Sequence, residues 1–245
     1  MLYFVGIGLA GDLTVEGMRI AKKSRKVYLD IYTSLIPEKE KMEEILERTI
    51  ILLDRRQMEE EDFLLGEAAT QDIAILIGGD PLVATTHIEL LVRAYRRGIV
   101  CRIIHNASIY TAVTETGLQI YRFGKSASIV FPQKNFAPTS FFNTVQENLS
   151  RNLHTLLFLD VVGEEGRFMD PTTALQTLAG LGYLGEVVVC SRLGYGDYAI
   201  RYGTVEEFAD LPTHFWGNPP HILVIPASLH FMEEEVLERY RIKNK

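Results

Sequence analysis

The chain has 245 residues, of which 47% are hydrophobic and 23% charged, and its formal net charge is −7. This is the composition of a globular protein, and the length allows one large domain or two smaller ones, each with its own core. The acidic balance disfavours a nucleic-acid substrate, because nucleic acid requires a basic surface.

Short apolar runs alternate with amphipathic segments over the first 117 residues. We predict strands at residues 2–7, 27–32, 50–53, 73–77 and 100–104. We predict that helices begin at Thr14, Glu38, the acidic segment 59–62, Asp80 and Ser108, and that the last one ends at Gly117. This alternation indicates a mostly parallel sheet with helices on both faces.

After Gly117 the regular alternation of strands and helices changes. We predict strands at residues 127–131, 155–162, 187–193 and 221–226, and helices at 139–152, 170–182 and 231–241. Gly194, Gly196 and Asp197 lie between two alternating runs, as in a hairpin. We therefore expect two α/β domains, at residues 1–116 and 117–245, the second with a mixed sheet.

The stretch from Ile73 to Gly98 organises the first half. Its opening apolar run is typical of a strand buried on both faces, and the glycines at 78–79 permit a sharp turn. Asp80 is a good N-cap and Pro81 suits the first helical position, so we predict a helix from Asp80 to Gly98. Asp80 then lies at the carboxyl edge of the sheet, where open α/β folds bind ligands.

Asp80 can serve a ligand, the helix, or both. A carboxylate forms charge-assisted hydrogen bonds worth about 1.5–3 kcal/mol each with a cationic or hydroxyl-rich ligand, whereas a helix cap contributes about 1 kcal/mol. Asn106 to Ser108 form a second small polar loop after the adjacent strand.

A glycine fingerprint also follows the first strand. Gly6, Gly8 and Gly11 match G-x-G-x-x-G, and Asp30 has the spacing of a residue that holds an adenine ribose. Taken alone, the fingerprint suggests a nicotinamide dehydrogenase, but the helix begins after Thr14, so its amides are not aimed at a pyrophosphate. A tight turn beside another chain segment explains the glycines equally well.

Targeting and metal signals are weak throughout. The apolar N-terminus lacks a basic region, and no apolar run is long enough to span a bilayer, so we expect no signal peptide and no membrane contact. Cys101 and Cys190 lie in strand-like runs, which indicates buried thiols in a reducing cytoplasm. The histidines are scattered over different elements, so we expect no metal site.

Seven segments carry a family resemblance. They are LYFVGIGLAGDLTVEGMRIAKK, DIYTSL, GGDPLVATTH, IIHNASIYTAV, GLQIYRFGKSASIVFP, HTLLFLD and PPHILVIPASLH. They extend nearly from end to end of the chain, and they resemble diphthine synthases, a branch of the tetrapyrrole methylase fold. ATTH, HNASIY and LHTLLFLD are more specific than the glycine loops.

The resemblance implies two α/β domains of the tetrapyrrole methylase type, with the cofactor in the cleft between them. It implies an S-adenosylmethionine-dependent methyltransferase that modifies the amine of a 3-amino-3-carboxypropyl-histidine on translation elongation factor 2 and releases S-adenosylhomocysteine. It also implies a cytoplasmic homodimer that binds no nucleic acid directly.

The family's cofactor contacts correspond to eight residues of this chain. They are Leu9, Asp80, Val83, Ser108, Ile109, Leu159, Leu193 and His221. Several would contribute backbone groups, which explains the apolar residues among them. Residues 163–200 match the family weakly, and the first loop is shorter than usual. No catalytic acid or base is implied.

Three alternatives remain at this level. A tetrapyrrole methyltransferase shares the GGDP turn, but it should lack ATTH and HNASIY. A ribosomal RNA methyltransferase of this fold should be more basic. A non-catalytic nucleotide-binding module would keep Gly6 to Gly11 and bind adenosine without turnover.

Overall fold

The N-terminal half of the chain is built on a five-stranded parallel sheet. The computed structural model describes residues 1–31, 39–59, 62–132, 138–162, 166–209 and 211–242. The strands are β1 (Leu2–Gly6), β2 (Lys26–Asp30), β3 (Ile50–Leu53), β4 (Ile73–Ile77) and β5 (Cys101–Ile104). Their order is β3-β2-β4-β1-β5, and every pairing is parallel. The middle strand β4 is apolar throughout because the sheet is buried on both faces.

Helices follow these strands in turn. They are α1 (Val15–Lys23), α2 (Lys39–Leu46), α3 (Arg55–Glu59), α4 (Phe63–Thr70), α5 (His87–Arg96) and α6 (Ile109–Ala112). The hydroxyl oxygen of Thr14 accepts a hydrogen bond from the Gly17 amide at 3.0 Å, which confirms the predicted start of α1. The predicted end of the second strand at Tyr32 and the predicted helix start at Glu38 lie outside the described residues.

A mixed sheet forms the second half, as predicted. Its strands are β6 (Ala127–Ile129), β7 (Thr155–Leu159), β10 (Glu186–Ser191), β11 (Ala199–Thr204) and β12 (His221–Ile225). The order is β11-β10-β12-β7-β6, and only the β6–β7 pairing of this sheet is parallel. The short strands β8 (Val161–Val162) and β9 (Arg167–Phe168) form a separate pair.

The helices of this half are α7 (Ser140–Ser150), α8 (Pro171–Gly180), α9 (Val205–Phe208) and α10 (Phe231–Glu238). The first three contribute buried apolar side chains to the core that also includes the mixed sheet, whereas the fourth contacts residues 113–116. The carboxylate of Asp170 caps α8, and Pro171 occupies its first position, as predicted. Phe141 is buried in this core, and Phe131 and Phe142 pack against it.

The contacts group the chain into two units. The first comprises Met1–Thr111 with Val162–Gly166, and the second comprises Ala112–Val161 with Arg167–Lys245. The domain limits that we predicted from the sequence, 1–116 and 117–245, stay a prediction.

The predicted start of α5 at Asp80 is wrong, because α5 begins at His87. The carboxylate of Asp80 instead accepts a hydrogen bond from the Leu82 amide at 3.1 Å, which closes a turn. Ala84 then adopts a positive φ of 56°, a conformation that no α-helix contains. Residues 78–86 are therefore a loop.

Two further boundaries differ from the prediction. Asp160 interrupts the strand predicted at residues 155–162, because its amide donates to the Ile129 carbonyl and its carboxylate accepts from the Phe131 amide. The last helix ends at Glu238, because residues 240–242 bond along the edge of β11 at Tyr202 instead. Residues 163–165 lie outside the described part of the chain.

Candidate functional site

Three loops meet at the carboxyl edge of the parallel sheet. They follow β1, β4 and β5, which are adjacent strands. Gly8 and Gly79 exchange backbone hydrogen bonds: the Gly79 amide donates to Gly8 at 2.8 Å, and the Gly8 amide donates to Gly79 at 3.2 Å. The first and second loops therefore form one scaffold.

Gly6 explains why the first loop is rich in glycine. A Cβ at this position would lie 2.7 Å from the Gly79 carbonyl oxygen and 2.9 Å from Cβ of Asn106. Only glycine admits that approach. The fingerprint thus provides space for neighbouring loops, and this packing accounts for Gly6 without a bound pyrophosphate.

Asn106 joins the third loop to the other two. Its side-chain amide donates to the carbonyl oxygens of Gly6 at 2.9 Å and Asp12 at 2.6 Å, and its backbone amide donates to the Asp80 carboxylate at 3.3 Å. We did not assign Asn106 a role from the sequence. The available signal was its place in HNASIY, directly after β5.

Asp80 is buried within this scaffold. Its Oδ2 lies 2.7 Å from Nδ1 of His105, and Oδ1 accepts from the Leu82 amide. Only 7% of the Asp80 side chain is exposed, whereas 72% of the His105 side chain is. The carboxylate is therefore held by its own loops, and the exposed imidazole is the solvent-facing member of the pair.

Four of the five candidate residues of the first unit lie on these loops, and Ile109 begins α6 at the end of the third loop. Leu9 follows β1, Asp80 and Val83 follow β4, and Ser108 and Ile109 follow β5. Leu9, Val83 and Ile109 are partly exposed, and Ser108 is buried. The fold therefore brings together five positions that are up to 100 residues apart in the sequence, and three of them are open to contact.

The three candidates of the second unit also share one sheet edge. Leu159 ends β7, Leu193 follows β10 and His221 begins β12. These strands are neighbours, with His221 paired to Ser191. All three candidates are buried.

His221 is the polar member of this edge. Within the described part of the chain, neither of its ring nitrogens has a hydrogen-bond partner. Burial lowers the pKa of His221, more than the backbone groups of Gly217 and Trp216 raise it. The lowered pKa favours the neutral imidazole, which has one donor and one acceptor nitrogen.

No group of three or more His, Cys, Asp and Glu side chains among the described residues is arranged to hold a metal ion. The described helices include none with the length and apolar character needed to cross a membrane.

Comparison with known proteins gives consistent matches. The sequence profile of tetrapyrrole (corrin/porphyrin) methylases matches residues 1–209. The diphthine synthase of Methanocaldococcus jannaschii is 41% identical over 254 residues, covering 97% of this chain and 98% of that protein. This chain belongs to the diphthine synthase family. It is accordingly a methyltransferase of the tetrapyrrole methylase fold, as the resemblance implied.

Other diphthine synthases agree in sequence and structure. The protein of Methanosphaerula palustris is 40% identical, covering 97% of each chain. A crystal structure of a diphthine synthase superposes with a TM-score of 0.87 at 35% identity, covering 98% of this chain and 95% of that one. A candidate diphthine synthase of Entamoeba histolytica superposes at 0.90 with 32% identity, covering 100% and 99%.

Proposed function

We propose that this enzyme transfers methyl groups from S-adenosylmethionine to the amine of the 3-amino-3-carboxypropyl-histidine of translation elongation factor 2, giving diphthine. The observation that carries the proposal is end-to-end similarity to diphthine synthases, at 41% identity to one of them. We further propose that it works in the cytoplasm as a homodimer.

The residues present fit such a methyl donor. In the first unit, the partly exposed Leu9, Val83 and Ile109 offer apolar contact and backbone groups on a scaffold tied by Asp80 and Asn106. We propose that these loops contact the donor mainly through their backbone. An apolar side chain at a binding position is then no contradiction.

The second unit offers a different kind of contact. His221 is buried and its ring nitrogens lack partners among the described residues, although buried polar groups usually have them. We propose that a polar group of the bound donor satisfies this imidazole, beside the apolar side chains of Leu159 and Leu193. The weak family match around residues 163–200 makes Leu193 the residue to test first.

Bound S-adenosylmethionine would supply a methyl group activated by its sulfonium, for transfer to a neutral amine with S-adenosylhomocysteine as the leaving group. The protein's contribution is to align the two reactants, which can lower a barrier by about 7–11 kcal/mol in favourable systems. The hydrogen bonds of Asp80 and Asn106 serve this end by fixing three loops in one geometry.

The decisive experiment is methyl transfer to a defined protein. Labelled S-adenosylmethionine is incubated with archaeal elongation factor 2 that carries the 3-amino-3-carboxypropyl group, and with factor that lacks it. We expect label on the modified histidine peptide only, in methyl increments. Equal labelling of both forms, or labelling only of a tetrapyrrole or ribosomal RNA, contradicts the proposal.

Cofactor choice is tested separately by thermal stabilisation. We expect S-adenosylhomocysteine to raise the melting temperature, whereas NAD should leave it unchanged because α1 begins four residues after Gly11. A clear shift with micromolar NAD supports the dehydrogenase alternative instead.

A further inference from the structure

Asp30 and His87 form a buried pair in the first unit that the proposed chemistry does not use. Oδ2 of Asp30 lies 3.2 Å from Nε2 of His87, and both side chains are 0% exposed. Neither ring nitrogen of His87 meets the geometry of a hydrogen bond with any described residue. Asp30 begins DIYTSL and His87 ends ATTH, so the fold joins two separate sequence motifs.

The position of this pair relates it to the loop at residues 78–86. Asp30 is the last residue of β2, which pairs with β4, the strand that leads into the loop. His87 is the first residue of α5, which the loop leads into. The pair therefore ties the end of the loop to the neighbouring strand of the sheet.

A second aspartate–histidine contact holds the beginning of the same loop. There Asp80 lies 2.7 Å from His105, which follows β5. The loop thus has one such contact at each end. Val83, a predicted donor contact, lies between them.

The loop is strained between these two contacts. Ala84 adopts a left-handed conformation, φ 56°, which residues with a Cβ rarely occupy. A strained residue persists only where the surrounding structure holds it. Inside the loop, the Thr85 hydroxyl donates to the Pro81 carbonyl at 2.8 Å and the Val83 amide donates to the Asp80 carbonyl at 3.2 Å.

We propose that Asp30 and His87 are positioning residues, which hold the 78–86 loop in the shape that binds the methyl donor. This inference rests on the proposed function, since the ligand of the loop is the proposed donor. The pair acts through the loop, because both side chains are inaccessible to a bound molecule. Among the described residues, neither ring nitrogen of His87 meets hydrogen-bond geometry, which is unusual for a buried polar group.

Three variants test the role of His87. His87→Leu removes both nitrogens, whereas His87→Gln keeps an amide donor near the place of Nε2, and Asp30→Asn keeps the shape of the carboxylate without its charge. We expect His87→Leu to weaken S-adenosylhomocysteine binding about tenfold, equal to about 1.4 kcal/mol, and to raise KM more than it lowers kcat. His87→Gln should recover most of that loss.

The relative affinities of the two His87 variants for S-adenosylhomocysteine distinguish a positioning role of His87 from simple packing in the core. If the site only fills space in an apolar core, leucine should be tolerated at least as well as glutamine. Equal affinity of wild type and both variants, or a better affinity of His87→Leu than of His87→Gln, overturns the inference. Should either His87 variant fail to fold, Asp30→Asn decides it: we expect weakened binding, and unchanged affinity refutes the role.

The matched control is His154→Gln, which alters a buried histidine of the second unit that also contacts a carboxylate. We expect it to lower the melting temperature without changing the affinity of the folded enzyme for S-adenosylhomocysteine. Wild-type enzyme that fails to bind S-adenosylhomocysteine refutes the proposed cofactor instead. The two failures are therefore distinguishable.

Discussion

Among the described residues, each unit has a fully buried carboxylate–imidazole pair, and the two pairs differ in how their polar atoms are satisfied. In the second unit, Nε2 of His154 lies 3.2 Å from Glu233, and Nδ1 accepts from the Ala227 amide at 2.9 Å. Both nitrogens of that ring therefore have partners. In the first unit, the ring of His87 has none in hydrogen-bond geometry among the described residues, although Asp30 lies close to it.

Glu233 is also fully satisfied. Besides His154, it accepts from the backbone amides of Gln119 and His230, each at 2.9 Å, and it pairs with the Arg122 guanidinium. A completed buried network rigidifies the fold around it, and this one joins the start of α10 to residues 119–122. We attribute the difference between the two pairs to their roles: the Glu233–His154 pair stabilises the fold, whereas the Asp30–His87 pair holds the binding loop.

Glu233→Gln, which disrupts the satisfied pair, should have the largest effect on stability. The change leaves Arg122, which is only 19% exposed, without its counter-charge. We expect a loss of about 3–5 kcal/mol in the free energy of unfolding, the usual cost of breaking a buried ion pair. The measurement is urea unfolding followed by the fluorescence of Trp216, the only tryptophan, which is buried in the second unit.

The control for that variant is Glu234→Gln, on the exposed side of the same helix. It should leave the unfolding midpoint nearly unchanged. Similar losses for the two variants would mean that the Glu233 network contributes nothing specific.

Gly6→Ala addresses the loops of the first unit. The new methyl group would press against the Gly79 carbonyl and Asn106, so we expect a loss of about 1–3 kcal/mol in stability together with weaker S-adenosylhomocysteine binding. Calorimetry and binding titrations measure the two effects. Gly66→Ala is the matched change, because no atom lies within 4 Å of its added Cβ inside α4, and it should stabilise by about 0.5–1 kcal/mol. If Gly6→Ala changed neither stability nor binding, the close contact between the loops would not require glycine at this position.

Acid should weaken the second unit in two stages. Burial lowers the pKa of His154 from 6.5 despite the opposing effect of Glu233, so the folded ring resists protonation. Burial would raise the pKa of Glu233, but hydrogen bonds from Gln119, His230 and His154 lower it below 4.5. Both contributions are present above the unfolded pKa values and are lost as the pH falls through the folded ones.

We therefore expect stability to decline first below pH 6.5 and further below pH 4.5, as measured by urea unfolding across that range. His154→Gln should flatten the first decline and leave the second. An unchanged first decline in that variant would assign it to another group.

The smallest effect belongs to an exposed ion pair. Asp62 is 57% exposed and contacts Arg93 at 2.8 Å and also Arg97. Hydrogen bonds from Arg93 and Arg97 lower the pKa of Asp62, but solvent screens such pairs. We expect no measurable shift in the melting temperature of Asp62→Asn. A loss of stability comparable to that of Glu233→Gln would show that burial does not determine how much these carboxylates contribute to stability.

Much of the architecture follows from local patterns. The β-branched run at Ile73–Ile77 predicts a buried strand, the Thr14 and Asp170 caps set the starts of α1 and α8, and the glycines after Leu193 predict the β10–β11 hairpin. These signals are readable because capping, turns and periodicity depend on residues a few positions apart.

The family resemblance identified the candidate residues, and the structure shows which residues surround them. Asn106 had no assigned role because its partners, Gly6 and Asp12, are more than 90 residues away. The start of α5 was wrong for a related reason. Asp80 and Pro81 favour a helix locally, but contacts with His105 and Asn106 after β5 hold the Asp80 side chain in a turn.

The sequence by itself determined most strands, most helix starts, the mixed character of the second sheet and the family. Tertiary structure alone decided that Asp30 meets His87, that His154 meets Glu233, and that one imidazole is satisfied while the other is not. The reason is physical. Propensity and capping act along the chain, whereas the hydrogen bonding of a buried side chain depends on which distant segments the sheet order brings beside it.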